Sequence, residues 1–316
     1  MKQSEFAMIE QPARGQLNAG LSFGYVDVPA TIREQDRPFL NTLTDASMDL
    51  QRQIRKPIPL ETRDLEIETS QGKIPARIYL PEGNGPFPLV LHYHGGGFAI
   101  RDIDCFDWLS RRYASGAGAV VLTIGYDLTP ERRFPVQAEE AYDALLWARE
   151  HAAEYGADPL RDVVMGDSAG GNLSAVISLM CRDRGQRVPA RMIPCYPVVD
   201  ARPDVQRESD WLYGTGFNLD YKHLLSYNAA YAPEDAENPY VSPLLADLAG
   251  LPPCRMVSAQ CDILLDSGLE FIRRLREAGV EAEYRIYKGV PHDFLFYGFP
   301  ESYEAYDLIC GWIREV

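Results

Sequence analysis

The sequence predicts an α/β fold in which a mostly parallel sheet is covered by helices on both faces. Three observations predict it. Short continuous apolar runs recur along the chain, among them Leu89-Val90-Leu91, Val120-Val121-Leu122 and Val163-Val164-Met165, as parallel strands buried on both faces require. Helical patterns lie between such runs, for example Ala138, Ala141, Leu145 and Ala148 after Pro135, or Leu269, Ile272 and Leu275 after Asp266. Alternating strand and helix is the signature of a layered α/β sheet. The third observation is Gly166-Asp167-Ser168-Ala169-Gly170, which follows one of these runs directly and opens a helix-like stretch. Strand, sharp turn and helix are the context in which G-x-S-x-G lifts a serine above a sheet.

Taken in order, residues 1–55 carry scattered apolar positions (Ile32, Phe39, Leu40, Leu43, Met48) and read as loop plus one or two helices. From residue 63, Leu65 and Ile67 and then Ile74, Ala76 and Ile78 alternate with polar residues on either side of Gln71-Gly72, which predicts an antiparallel hairpin. Strands follow at 89–91, 120–122, 163–165, 192–193, 256–257 and 284–287. Residues 201–235 interrupt the alternation with Trp211, Tyr213, Phe217, Tyr221, Tyr227 and Tyr231. This insertion, with residues 1–55, is expected to form a helical cap over the carboxyl ends of the strands, where ligands bind in such sheets. Its rings either line the pocket or pack the insertion onto the body. No spacer, low-complexity tract or repeat divides residues 1–316, so one elaborated domain is expected.

A formal charge of −15 argues against nucleic acid and against anionic membrane surfaces as partners. Acidity serves solubility, or steers a cationic substrate. The N-terminal MKQSEFAMIEQPARG has no apolar core, and no run approaches 18 apolar residues, so a cytoplasmic protein is expected. Six cysteines without a C-x-x-C pair read as core residues.

Serine is a weak nucleophile, so Ser168 needs an imidazole base, and the base needs a carboxylate that fixes its tautomer. On sheets with a nucleophile elbow the chain order is serine, acid, histidine. His92, His94 and His151 precede Ser168, and His223 lies in the aromatic insertion, which leaves His292. For the acid, Asp262 stands just past a strand end. Asp266 suits the first turn of the next helix, and Asp200 is the second candidate. Oxyanion donors are expected from His94-Gly95-Gly96-Gly97-Phe98, through the N–H groups of Gly96 and Gly97, with that of Ala169 as third. His94 reads as a loop anchor. His92-x-His94 has no accompanying ligand pattern, so no metal is expected. Phe98, Trp211, Tyr213 and Phe217 are expected to contact substrate.

With HGGGF at 94–98, YDLTPERRFP at 126–135, GDSAGGN at 166–172, D-x-L-x-D at 262–266 and G-x-x-H-x-F at 289–294, the chain resembles the hormone-sensitive-lipase-like α/β-hydrolase esterases. Within that family it is most similar to bacterial acetyl esterases, in ENPYVSPLLADLAGLPPC (237–254) and GVPHDFLFY (289–297). The resemblance implies the α/β-hydrolase fold with an eight-stranded sheet and a helical cap. It also implies hydrolysis of short-chain (acetyl to butyryl) esters without a cofactor, with Ser168, Asp262 and His292 as triad and Gly96, Gly97 and Ala169 as oxyanion hole. Amide or carbamate hydrolysis by the same triad, or a receptor role, are the alternatives. Family members are monomers or dimers, and Tyr303–Ile313 suits a core or a homodimer interface. Two departures stand out. Asp127 replaces the usual arginine of Y-R-L-A-P-E, and Asp293 replaces a glycine. An inward-pointing Asp293 would raise the pKa of His292.

Overall fold

The computed structural model describes residues 28–316, so the first 27 residues of the expected cap segment lie outside the described residues. The predicted hairpin is present as β1 (Glu61–Thr69) and β2 (Gly72–Leu80), with Thr69 opposite Gly72 at the turn. It is followed by β3 (Phe87–Tyr93), β4 (Val120–Ile124), β5 (Ala157–Asp167), β6 (Arg191–Cys195), β7 (Cys254–Cys261) and β8 (Ala282–Pro291). These strands form one eight-stranded sheet in the order β1-β2-β4-β3-β5-β6-β7-β8. β2 runs antiparallel to both neighbours, and every other pair is parallel.

The continuous apolar runs are explained by two cores. Leu89 and Leu91 of β3, Val120 and Leu122 of β4 and Val164 of β5 enter the core under α3 (Val136–His151), α4 (Ala169–Asp183) and α7 (Leu265–Glu277). The alternate residues Val90, Val121, Val163 and Met165 enter the opposite core, under α2 (Asp107–Ala117) and under α9 (Pro300–Arg314), which follows the single-turn α8 (Phe294–Tyr297). Side chains alternate faces along a strand, so covering both faces favours apolar residues at every position and leaves polar ones such as His92 and Thr123 only where they are hydrogen-bonded. α9 buries Ala305, Tyr306, Ile309, Trp312 and Ile313 in this second core, which accounts for the amphipathic C-terminal stretch.

α1 (Arg37–Ile54), α5 (Glu208–Tyr213) and α6 (Tyr221–Tyr231) lie outside these layers. α1 and α6 meet in a small core of their own, where Val28, Ile32, Leu40 and Ala230 close on Ala99 and Ile100 of the loop after β3. Polar contacts fasten both ends of α1. Arg37 donates to the Ala99 carbonyl at 2.7 Å and to Glu131 at 2.8 Å. Gln51 and Arg55 donate to the carbonyls of Phe296 and Leu295, each at 2.9 Å. Among the described residues, α1 and α6 therefore sit on loops at the carboxyl ends of the strands.

The elbow depends on a close approach of α4 to β3. A Cβ at Gly170 would overlap the Tyr93 carbonyl oxygen and stand 2.5 Å from its carbon. Backbone in a central strand cannot rotate away as a side chain can. Gly170→Ala should therefore cost about 3 kcal/mol or more, and lower the melting temperature by several degrees. Gly268→Ala in α7 is the control, because its Cβ would meet only side-chain atoms at ordinary contact distance, of Met256 at 3.4 Å and of Ser258 at 3.9 Å. In a helix interior that exchange stabilises by up to about 1 kcal/mol. Thermal unfolding of both variants checks the contrast, and equal melting temperatures would refute it.

Candidate active site

β5 delivers Ser168 to the turn before α4, where it adopts φ 55° and ψ −109°. A non-glycine residue pays a steric penalty at positive φ and is held there by its surroundings. Here the Ser168 N–H donates to the Cys195 carbonyl at 2.9 Å, and its own carbonyl accepts from Asn172 and Val198. β8 ends at Pro291 and β7 at Cys261, so the loops that follow bring His292 and Asp262 to the same edge of the sheet.

The three groups form one hydrogen-bonded row. His292 Nε2 lies 2.9 Å from Ser168 Oγ, and Nδ1 lies 2.7 Å from Asp262 Oδ2. All three side chains are buried. Asp262 Oδ1 accepts from the Leu264 N–H at 2.9 Å, which fixes the carboxylate plane. Burial works against the charged imidazole. The neighbouring Asp262 and Asp293 carboxylates outweigh it, so the pKa of His292 lies above its ordinary value. The other acid candidates are engaged elsewhere: Asp200 pairs with Arg202 and Arg207 at 2.8 and 2.7 Å, and Asp266 accepts from the Ser209 N–H.

Gly96 and Gly97 line the same cavity as Ser168, and Ala169 opens α4, so its N–H has no acceptor within the helix. The Tyr227 ring lies directly on Gly97, where a Cβ would stand 2.5 Å from it. His94 anchors the loop. Its ring stacks on Tyr126 at 4.3 Å, its Nδ1 meets the Gly95 carbonyl, and burial pushes its pKa down to about 4. His92 is bound below the elbow between Ser110 and Asp167, with Tyr196 donating to the same Asp167. Asp127 lies 3.4 Å from Arg132, so a local ion pair replaces whatever an arginine at 127 would make.

The cavity over Ser168 measures about 260 Å³. Phe98 lines it, with its ring stacked on Tyr231 at 3.7 Å. The expectation for the insertion's other rings is corrected. Tyr213 and Phe217 pack edge to face and bury against Val198, Cys261, Ile263 and Leu264, supporting the loop that carries Asp262. Trp211 is 75% exposed beside a separate surface hollow. The insertion contributes instead Asn218, Leu219, His223, Leu224, Tyr227 and Asn228. Four of these, at 223, 224, 227 and 228, share one face of α6, a helical spacing that the sequence displays. α1 adds Leu43, Ala46, Ser47 and Leu50, and the remaining wall includes Arg101, Asp293, Phe296 and Tyr297.

A family model described as the alpha/beta hydrolase fold matches residues 90–296. The chain is 40% identical to carboxylic ester hydrolase LipN of Mycobacterium tuberculosis over 247 residues, 75% of this chain and 65% of that protein. It is 37% identical to ethyl acetate hydrolase of Pseudomonas putida over 246 residues, 74% of this chain and 76% of that one. Among solved structures, the hyperthermophilic esterase from Pyrobaculum calidifontis superposes with a TM-score of 0.88 at 32% identity, covering 98% of this chain and 99% of that one. An elbow serine at the end of the fifth strand, backed by matches along most of the chain, decides the assignment: the chain belongs to the α/β-hydrolase fold family, in its hormone-sensitive-lipase-like esterase branch.

Proposed function

We propose that this chain is a serine carboxylesterase acting on short-chain esters. The reading is carried by the hydrogen-bonded row Ser168, His292, Asp262 opening into a small cavity. Ser168 Oγ attacks the ester carbonyl while His292 Nε2 takes its proton. Asp262 holds the Nδ1–H and stabilises the imidazolium. The N–H groups of Gly96, Gly97 and Ala169 receive the oxyanion. The alcohol leaves with the proton from Nε2, and water then attacks the acyl-enzyme by the same route. The names of LipN and of ethyl acetate hydrolase support ester chemistry, and the latter supports a small acyl group and a small alcohol.

Size supports the short-chain part. A 260 Å³ cavity falls below the roughly 300–1,000 Å³ of sites that take drug-sized ligands. Forcing extra methylenes into a packed site typically costs about 1–3 kcal/mol. Among p-nitrophenyl esters, kcat/KM for the octanoate should therefore lie about tenfold or more below that for the acetate and butyrate. A preference for octanoate would sink the short-chain reading while leaving the esterase reading intact.

A further inference from the structure

We propose that Arg101 and Asp293 form a positioning pair that places a second carboxylate beside the catalytic imidazole without letting it compete for the imidazole proton. The inference rests on the reading of Ser168 and His292 as nucleophile and base. Asp293 Oδ2 is bound by Arg101 Nη2 at 2.9 Å, and both side chains are buried. Its other oxygen, Oδ1, has no hydrogen-bond partner among the described residues and stands 3.7 Å from His292 Nε2. That separation is too long for a hydrogen bond but close for a charge. Nε2 is thus left to Ser168 at 2.9 Å.

Both members of the pair sit in the left-handed region, Arg101 at φ 68° and Asp293 at φ 63°. Arginine rarely adopts that conformation, and two such residues meeting across separate loops are held there by their surroundings. The Arg101 guanidinium also lies over the Phe296 ring at 4.1 Å, and the backbone N–H of Arg101 donates to Thr44 Oγ1 at 2.9 Å. Its charge is therefore held between Asp293 and the Phe296 ring, and its backbone by Thr44.

Arg101 has two effects. A buried carboxylate alone tends to take up a proton, and a protonated Asp293 would donate to Nε2 and displace Ser168. The guanidinium keeps Asp293 ionised, and its carboxyl lies below the ordinary value despite burial. It also turns Oδ2 away from the imidazole. When His292 takes the Ser168 proton, the imidazolium then forms between two carboxylates, Asp262 at Nδ1 and Asp293 near Nε2. The other titratable groups facing this ring are Arg101, whose charge opposes the imidazolium, and Tyr196, which packs edge-on against it at 5.1 Å. His223, Tyr227 and Tyr297 line the same cavity.

The test is the pH dependence of kcat/KM for p-nitrophenyl acetate in the full-length wild type, Asp293→Asn, Asp293→Gly, Arg101→Gln and the double variant Arg101→Gln/Asp293→Asn. The acid limb of that profile reports the free-enzyme base. Removing the carboxylate leaves the Arg101 charge unopposed, so both Asp293 variants should move the limb to lower pH by about one unit. Arg101→Gln, in which Asp293 can take up a proton and compete with Ser168 for Nε2, should lower the plateau rate, and the double variant should return the limb near wild type. Glycine fits the left-handed backbone at 293, so Asp293→Gly provides a folded variant should asparagine disturb packing. An acid limb unmoved in folded Asp293 variants, with only the plateau rate reduced, would overturn the proposal and leave a structural ion pair. Retained activity in Ser168→Ala would overturn it too, by removing the reading of Ser168 and His292 as nucleophile and base.

Discussion

Ser168→Ala should lower kcat for p-nitrophenyl acetate by on the order of 10⁵- to 10⁶-fold while leaving the melting temperature within a degree or two. The size follows from the row of contacts. Among the described residues Ser168 Oγ has one hydrogen-bond partner, His292 Nε2, so its removal deletes the proposed nucleophile and strands the proposed base in a single step. Stability is held by different atoms. The backbone bonds from Ser168 to Cys195, Asn172 and Val198 do not involve the side chain, and alanine keeps the Cβ that packs at the elbow. Some rate above that of water should survive, because the substitution leaves in place the proposed oxyanion donors, the N–H groups of Gly96, Gly97 and Ala169. A variant that unfolds, or a folded one that keeps a tenth of the activity, would each contradict this account. A folded wild type inert towards acetate, butyrate and octanoate esters would direct attention to amide or carbamate substrates.

The parts of the site that the sequence displays are those fixed by chain order and backbone. Ser168 and His292 are legible because a strand must end before each of them, and because the order of serine, acid and histidine eliminates three of five histidines while His223 lies in the aromatic insertion. The strands are legible for a similar reason: with both faces covered, Leu89 to Leu91 or Val120 to Leu122 has to be apolar throughout. The pocket wall is not legible in this way. Trp211, Tyr213 and Phe217 look like a lid because they are aromatic, yet their direction is set by how α5 docks against α7 and β7. Aromatic character says that a ring needs cover, and the body supplies that cover as readily as a ligand does. The face of α6 carrying Leu224 and Tyr227 has the right period, but nothing local says that it points at Ser168. The Arg101–Asp293 pair is hidden more deeply, since its members lie on two loops that only the closed sheet brings together. Asp293 departs visibly from the family glycine, whereas its partner leaves no trace in the local pattern.

Asp262→Asn is expected to lower kcat about 10⁴-fold, and the bond from Leu264 gives the reason. In the wild type the Leu264 N–H donates to Oδ1, while Oδ2 accepts the Nδ1–H of His292. An asparagine in the same place has one acceptor oxygen and one donor NH₂. Leu264 can only donate, so the asparagine oxygen takes the Oδ1 position and the NH₂ faces Nδ1. That ring nitrogen must then accept, which places the imidazole proton on Nε2, where it meets the Ser168 hydroxyl proton and can no longer remove it. The substitution thus preserves shape and packing and inverts the tautomer. Asp200→Asn provides the contrast, since it weakens the pairs with Arg202 and Arg207 and touches no atom of the row. It should lower stability by about 1–3 kcal/mol and leave kcat within a few-fold of wild type. If the two variants behaved alike in activity, Asp262 would lose its place as the residue that orients His292. A collapse of kcat confined to Asp262→Asn, with its melting temperature little changed, would tie the loss to the position of one proton.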